Sequence, residues 1–118
     1  MRLSKKTLEK EKEKEAFKIF FQLIADIRTP QEAEEILTDL LTKTEILMLA
    51  KRLAILKALK EKISYNEIKK NFEVSTATIS QFKNLTKRKG IIFALKKIDA
   101  DQWAEKWANK IKKLFGQK

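Results

Sequence analysis

Between Val74 and Gly90 the chain sets out Ser75, Thr76, Ala77, Ser80, Lys83 and Asn84 around the apolar Ile79 and Phe82, with no acidic residue among them. Short hydroxyls, a methyl, an amide and a lysine are groups that let a helix approach base edges and phosphates closely, where long acids would be repelled. Other chemistries are poorly served. The 118 residues contain no His and no Cys, which removes disulfides, thiolate nucleophiles, imidazole bases and the usual zinc sites. Carboxylates and lysines remain, but nothing groups them as an active site would. The expectation is a protein that is not an enzyme and carries no metal and no cofactor.

Small polar side chains read a partner only if a rigid frame presents them. The stretch from Ser64 to Lys83 has the layout of such a frame, two short helices joined by a tight turn. Ile68 and Phe72 are the apolar anchors of the first helix, Val74 plugs the turn, and Ile79 and Phe82 anchor the second. The second helix then keeps its outer face free to enter a major groove ~12 Å wide. The turn position before Val74 favours a positive φ and hence glycine, yet Glu73 stands there, at a cost of about 1 kcal/mol or with a different turn. From these residues alone a DNA-reading helix-turn-helix and an ordinary packed helical hairpin both remain open.

The rest of the chain supports an all-α protein. Two Gly, one Pro and a single Val leave little material for turns or strands. Residues 1–15 alternate Lys and Glu with almost nothing to bury, and predict a charged N-terminal arm, either a frayed helix or disordered. The domain proper is expected over 16–90. Phe17, Phe20, Phe21, Ile24 and Ile27 mark a first helix over 16–27, with the phenylalanines expected in a dimer core. Thr29-Pro30-Gln31-Glu32, Thr42-Lys43-Thr44-Glu45 and Ser64-Tyr65-Asn66-Glu67 are capping boxes, each opening a helix. The helix after Thr42 runs to about Leu59, its apolar side formed by Ile46, Leu49, Leu53, Leu56 and Leu59, with Leu47 and Ile55 widening it. Ser75 or Thr76 caps a helix reaching about Lys87, and Gly90 is expected to stop it. A C-terminal extension over 91–118 is predicted as a short helix, 91–98, and a basic amphipathic one from Ala100 to Phe115 capped by Asp99. The latter is expected to dock on the domain or dimer core through Trp103 and Trp107.

The formal net charge is +11, which favours a polyanionic partner. It is unevenly spread: residues 61–90 carry seven bases against three acids, and residues 16–60 seven against six. No apolar run is long enough to span a membrane and no secretory leader is visible, so the expected location is the cytoplasm.

Leu49-Ala50-Lys51-Arg52-Leu53, the capping box at Ser64 and the run Ser75-Thr76-Ala77-Thr78-Ile79-Ser80 resemble the tryptophan-repressor superfamily, in its branch of small bacterial Trp-repressor-like proteins. The likeness covers about Phe17 to Gly90 and is strongest over Leu40–Ser80. It implies an all-α helix-turn-helix domain, an intertwined homodimer, and a transcriptional regulator that reads palindromic double-stranded DNA. By this resemblance Asn66 and Lys69 fall at phosphate- or base-facing positions, and Ser75, Thr76, Ala77 and Ser80 at the base-facing start of the recognition helix. Arg52 matches the arginine that pairs with the corepressor carboxylate. The chain departs from the family where the ligand would sit. Gln81 replaces a second arginine, Phe82 a glycine, and Leu85 a small polar residue, so L-tryptophan is not expected as effector and Arg52 is a vestigial effector position. The alternatives are a non-specific, nucleoid-associated nucleic-acid-binding protein and a helical protein-interaction adaptor.

Overall fold

The computed structural model describes residues 9–114, except for the side chain of Trp107. Over that range it is all-α, with six helices: α1 (Lys10–Asp26), α2 (Pro30–Leu40), α3 (Lys43–Lys60), α4 (Tyr65–Phe72), α5 (Thr76–Leu85) and α6 (Lys89–Leu114). They form two compact units that part between Ile46 and Leu47, inside α3.

In the first unit the capping residues act as the sequence predicts. The Thr29 hydroxyl accepts from the Glu32 N–H at 3.1 Å, and Glu32 reaches back to the Arg28 N–H. At Thr42 the exchange is reciprocal: its hydroxyl accepts from the Glu45 N–H at 3.1 Å, and its own N–H donates to the Glu45 carboxylate at 2.8 Å. Hydrogen bonding to the carboxylate, from the Thr42 backbone N–H first and its side chain second, holds the Glu45 carboxyl below its ordinary range. α1 begins at Lys10, six residues before the expected start, because alternating Lys and Glu are good helix formers once a core segment nucleates them. Neither α1 nor α2 has a fully buried residue. Phe17 stacks on Phe21 with ring centroids 6.0 Å apart and Phe20 tilts against Phe21 at 5.7 Å, yet all three rings stay exposed within one chain.

The second unit is built on three isoleucines, one from each of three helices. Ile55 of α3, Ile68 of α4 and Ile79 of α5 are fully buried, with Ile63, Phe72, Val74 and Phe82 packed around them. The expected apolar side of α3 needs correction. Leu56 is buried, but Leu47, Leu49 and Leu53 are exposed. α3 is apolar on more than one side: the face centred on Ile55 meets α4 and α5, while Leu49 and Leu53 lie roughly 120–160° around the helix.

Two left-handed residues shape the connections. After α3, Lys62 takes φ 61°. The Ile63 N–H donates to the Ala58 carbonyl and the Lys62 N–H to that of Leu59, a Schellman closure in which Ile63 and Ala58 also share the core. After α4, Glu73 adopts φ 53° and ψ 52°, the conformation its position demands.

The C-terminal expectations are corrected. Gly90 does not stop a helix: α5 ends at Leu85, three residues form the turn, and Gly90 lies in the first turn of α6. The two expected helices are one, because nothing between Ile91 and Leu114 breaks a helix. Asp99 is not a cap; its carboxylate accepts from Lys60 Nζ at 3.0 Å, joining α6 to the end of α3. Leu95 is buried, but every described side chain from Asp99 to Leu114 is exposed. Trp103, 63% exposed, therefore does not dock on the core of its own chain; the Trp107 side chain lies outside the described residues.

Candidate nucleic-acid interface

Ser64 starts the first motif helix by accepting from the Glu67 N–H at 3.2 Å. Two turns later the chain reverses through Glu73, Val74 and Ser75. The Ser75 hydroxyl accepts from the Thr78 N–H at 3.1 Å and lies 2.9 Å from the Thr78 hydroxyl, which fixes the start of α5. Val74 points inward at the turn, and Ile79 drives α5 onto Ile55 and Ile68. The five anchors named from sequence, Ile68, Phe72, Val74, Ile79 and Phe82, thus belong to one cluster.

Fixing that inner face leaves the other outside. Ser75, Thr76, Ala77, Ser80, Lys83 and Asn84 are all exposed on α5 and its cap, as are Asn66 and Lys69 on α4. Thr76, Ala77 and Ser80 occupy one, two and five positions after the cap, so they share the N-terminal turns of one helical face. Lys83 and Asn84 continue along α5 toward its C-terminal end. This surface has hydrogen-bonding groups, little bulk and no acid.

Arg52 is set into the same unit. Its guanidinium carbon lies over the Phe82 ring, 5.6 Å from the centroid, a cation–π arrangement. Beside the pair is a shallow depression of about 180 Å³ lined by Met48, Lys51, Arg52, Ile55, Val74, Thr78 and Phe82. Small-molecule sites generally offer roughly 300 Å³ or more, and the phenyl ring takes up part of the volume here. Sequence reasoning singled out Arg52 and Phe82 but missed Met48, Lys51 and Thr78. The signal was present: residues 48, 51, 52 and 55 fall on one helical face, and 74, 78 and 82 repeat every four.

Among the described residues no group of Asp and Glu could hold a metal ion, and no helix is long and apolar enough to cross a membrane. No curated protein and no solved structure matches the chain. The family model described as Trp repressor protein matches residues 15–91, a span that takes in all three isoleucines, both motif helices and the exposed face of α5. The chain belongs to the Trp repressor family, a family of DNA-binding regulators.

Proposed function

We propose that this protein is a sequence-specific transcriptional regulator that reads a palindromic operator in double-stranded DNA as a homodimer and does not use L-tryptophan as corepressor. The observation that carries the reading is the exposed face of α5, short and hydrogen-bonding, on a helix whose opposite face is locked by Ile79. Thr76, Ala77 and Ser80 contact base edges, with Ser75 holding the helix start. Lys69, Lys83, Asn66 and Asn84 flank them, the lysines on phosphates. The domain over 16–90 carries this activity.

Dimerisation is supported by the apolar surface that one chain leaves uncovered. Phe17, Phe20, Phe21 and Ile24 on α1, and separately Leu49 and Leu53 on α3, are all exposed, and grouped exposed apolar side chains of this kind mark association surfaces. A two-fold arrangement would set two copies of α5 about 34 Å apart, one turn of duplex, in successive major grooves.

The case against tryptophan rests on Phe82 lying under Arg52. The amide of Gln81 cannot supply a second guanidinium, and the ring occupies space that an indole would need. Phe82 itself then holds the reading head that a ligand would otherwise brace.

Selection from random duplex DNA tests the main reading. An enriched site with dyad symmetry and half-sites one turn apart is expected; a pool with no enriched site refutes it. The +11 charge favours a non-specific nucleic-acid binder as second reading, marked by uniform affinity with steep salt dependence. Failure to shift any duplex at ~50 mM salt would leave the protein-interaction adaptor. Calorimetric titration with L-tryptophan should give no heat above dilution, and saturable binding tighter than ~1 mM would overturn that part.

A further inference from the structure

Beyond the family match, which ends at residue 91, α6 runs on for more than twenty residues. Its last acid is Glu105; from Lys106 to the end the chain holds Lys106, Lys110, Lys112, Lys113 and Lys118 and no acid. Three of these, with Trp103 and Asn109, line one concave patch of about 450 Å³. Lys106, Lys110 and Lys113 are spaced by four and three, so they stack along one side of the helix. At 100° per residue Asp101 lies on the far side of the helix from that row, and Glu105 about 110° around from it.

We propose that this row grips the phosphate backbone of duplex DNA, a second contact outside the helix-turn-helix; the proposal rests on the DNA-binding reading above. Charge complementarity selects the partner. From Lys106 to Lys113 the row spans ~10 Å of helix axis, and one DNA strand presents a phosphate every ~3.4 Å of its own axis. Over that length the strand presents about four phosphates, and the three flexible lysine side chains each reach one of them. Asn109 adds an amide that donates to phosphate or sugar oxygens, and the exposed Trp103 flank lies along the sugar edge. None of these groups distinguishes bases, so the contact adds affinity without sequence preference. A helix lying in an anionic headgroup plane is served by net positive charge on both flanks of its apolar face, whereas here three bases share one flank and the other, with Lys112 beside Asp101 and Glu105, is net acidic.

The test compares the full-length protein with K106Q/K110Q/K113Q on labelled duplex between 50 and 300 mM salt. Three lost phosphate contacts should reduce the slope of log K against log salt by about 2–3 per subunit engaged, and weaken binding by roughly a hundredfold at 0.1 M salt. Matched and scrambled duplexes should be weakened by the same factor. K106R/K110R/K113R should restore the slope, and Lys112→Gln, off the row, should change it by less than Lys113→Gln does. An unchanged slope in the glutamine variant overturns the proposal, as does an equal effect of Lys112. So does a variant that instead loses self-association, or one that loses binding only to phosphatidylserine vesicles. A wild-type protein that shifts no duplex at all at 50 mM salt fails at the earlier reading, a result distinct from a wild type that binds with the variant's slope.

Discussion

Phe82 and Arg52 make the sharpest stability prediction, because their contact is local and both side chains line one depression. The perturbation is a double-mutant cycle with Phe82→Leu and Arg52→Met, chosen to keep apolar volume while removing the ring or the charge. With the guanidinium carbon 5.6 Å from the ring centroid and Arg52 exposed, the coupling belongs at the solvent-screened end of cation–π energies, about 0.5–1 kcal/mol. Phe82→Leu alone should cost more, about 1–2 kcal/mol, since the ring also packs on the Ile55–Ile68–Ile79 cluster. Urea unfolding at one fixed protein concentration reads all four proteins, because association would otherwise shift the apparent stability. Arg52→Met should cost less in the Phe82→Leu background than in the wild type, by about two- to fivefold in the unfolding constant. Independent sites add within about 0.3–0.5 kcal/mol. Costs for Arg52→Met that agree in the two backgrounds to within 0.3 kcal/mol, as order of magnitude, would refute the claim that the guanidinium and the ring brace one another.

Ile79→Ala removes the fully buried anchor of α5 and should destabilise by about 2–5 kcal/mol, lowering Tm by roughly 10 °C or more in a thermal melt. Glu73→Gly should do the reverse, since Glu73 holds φ 53° where glycine carries no steric penalty; a gain of about 0.5–1 kcal/mol is expected by the same melt, and a loss would mean that the Glu73 side chain has a stabilising contact. Glu45 sets a pH dependence: its folded carboxyl is held below the ordinary value, so its contribution is fully present above that value and lost as pH falls through the depressed one. Glu45→Gln should therefore flatten the acid limb of a stability-versus-pH curve, and an acid limb identical to the wild type would show that the ionised Glu45 carboxylate does not stabilise the fold.

Local rules were enough wherever one side chain settles the matter. Thr29, Thr42, Ser64 and Ser75 each cap the helix that follows, because an N-cap hydroxyl and the N–H three residues on are neighbours in any helix start. The motif anchors were legible for a similar reason: Ile68 and Ile79 are flanked by polar residues, so their burial has no competitor. The misreadings lie where no single side chain settles the matter. Gly90 reads as a stop, but its meaning depends on the reversal through 86–88, which frees it to open α6. Asp99 reads as a cap until Lys60, 39 residues earlier, is seen to hold its carboxylate. α3 has apolar residues on several sides, and no periodicity within one helix says which of them meets α4 and α5. The depression beside Arg52 was half visible for the same reason, since its wall draws on α3, the turn and α5 together.

The placement of charge separates two properties that a DNA-reading protein needs. On α5 the groups at the start of the helix are uncharged, and the lysine comes two turns later. Uncharged hydroxyls and a methyl contribute little to the pull of the backbone, but they distinguish base edges, where each good pairing is worth about 1–3 kcal/mol of discrimination. The cations lie elsewhere: on α4, at the end of α5, in the turn at 87–88 and along α6. In the proposed reading contacts from those positions go to phosphate, common to every sequence, and their strength varies with salt. Changing a lysine should therefore move all duplexes together, and changing Thr76 or Ser80 should move one base position at fixed salt slope. The same logic explains why Ile79 must be immobile. A difference of one hydroxyl is informative only if the helix carrying it cannot shift to accommodate the wrong base, and a side chain with no exposed surface, wedged against Ile55 and Ile68, supplies that constraint.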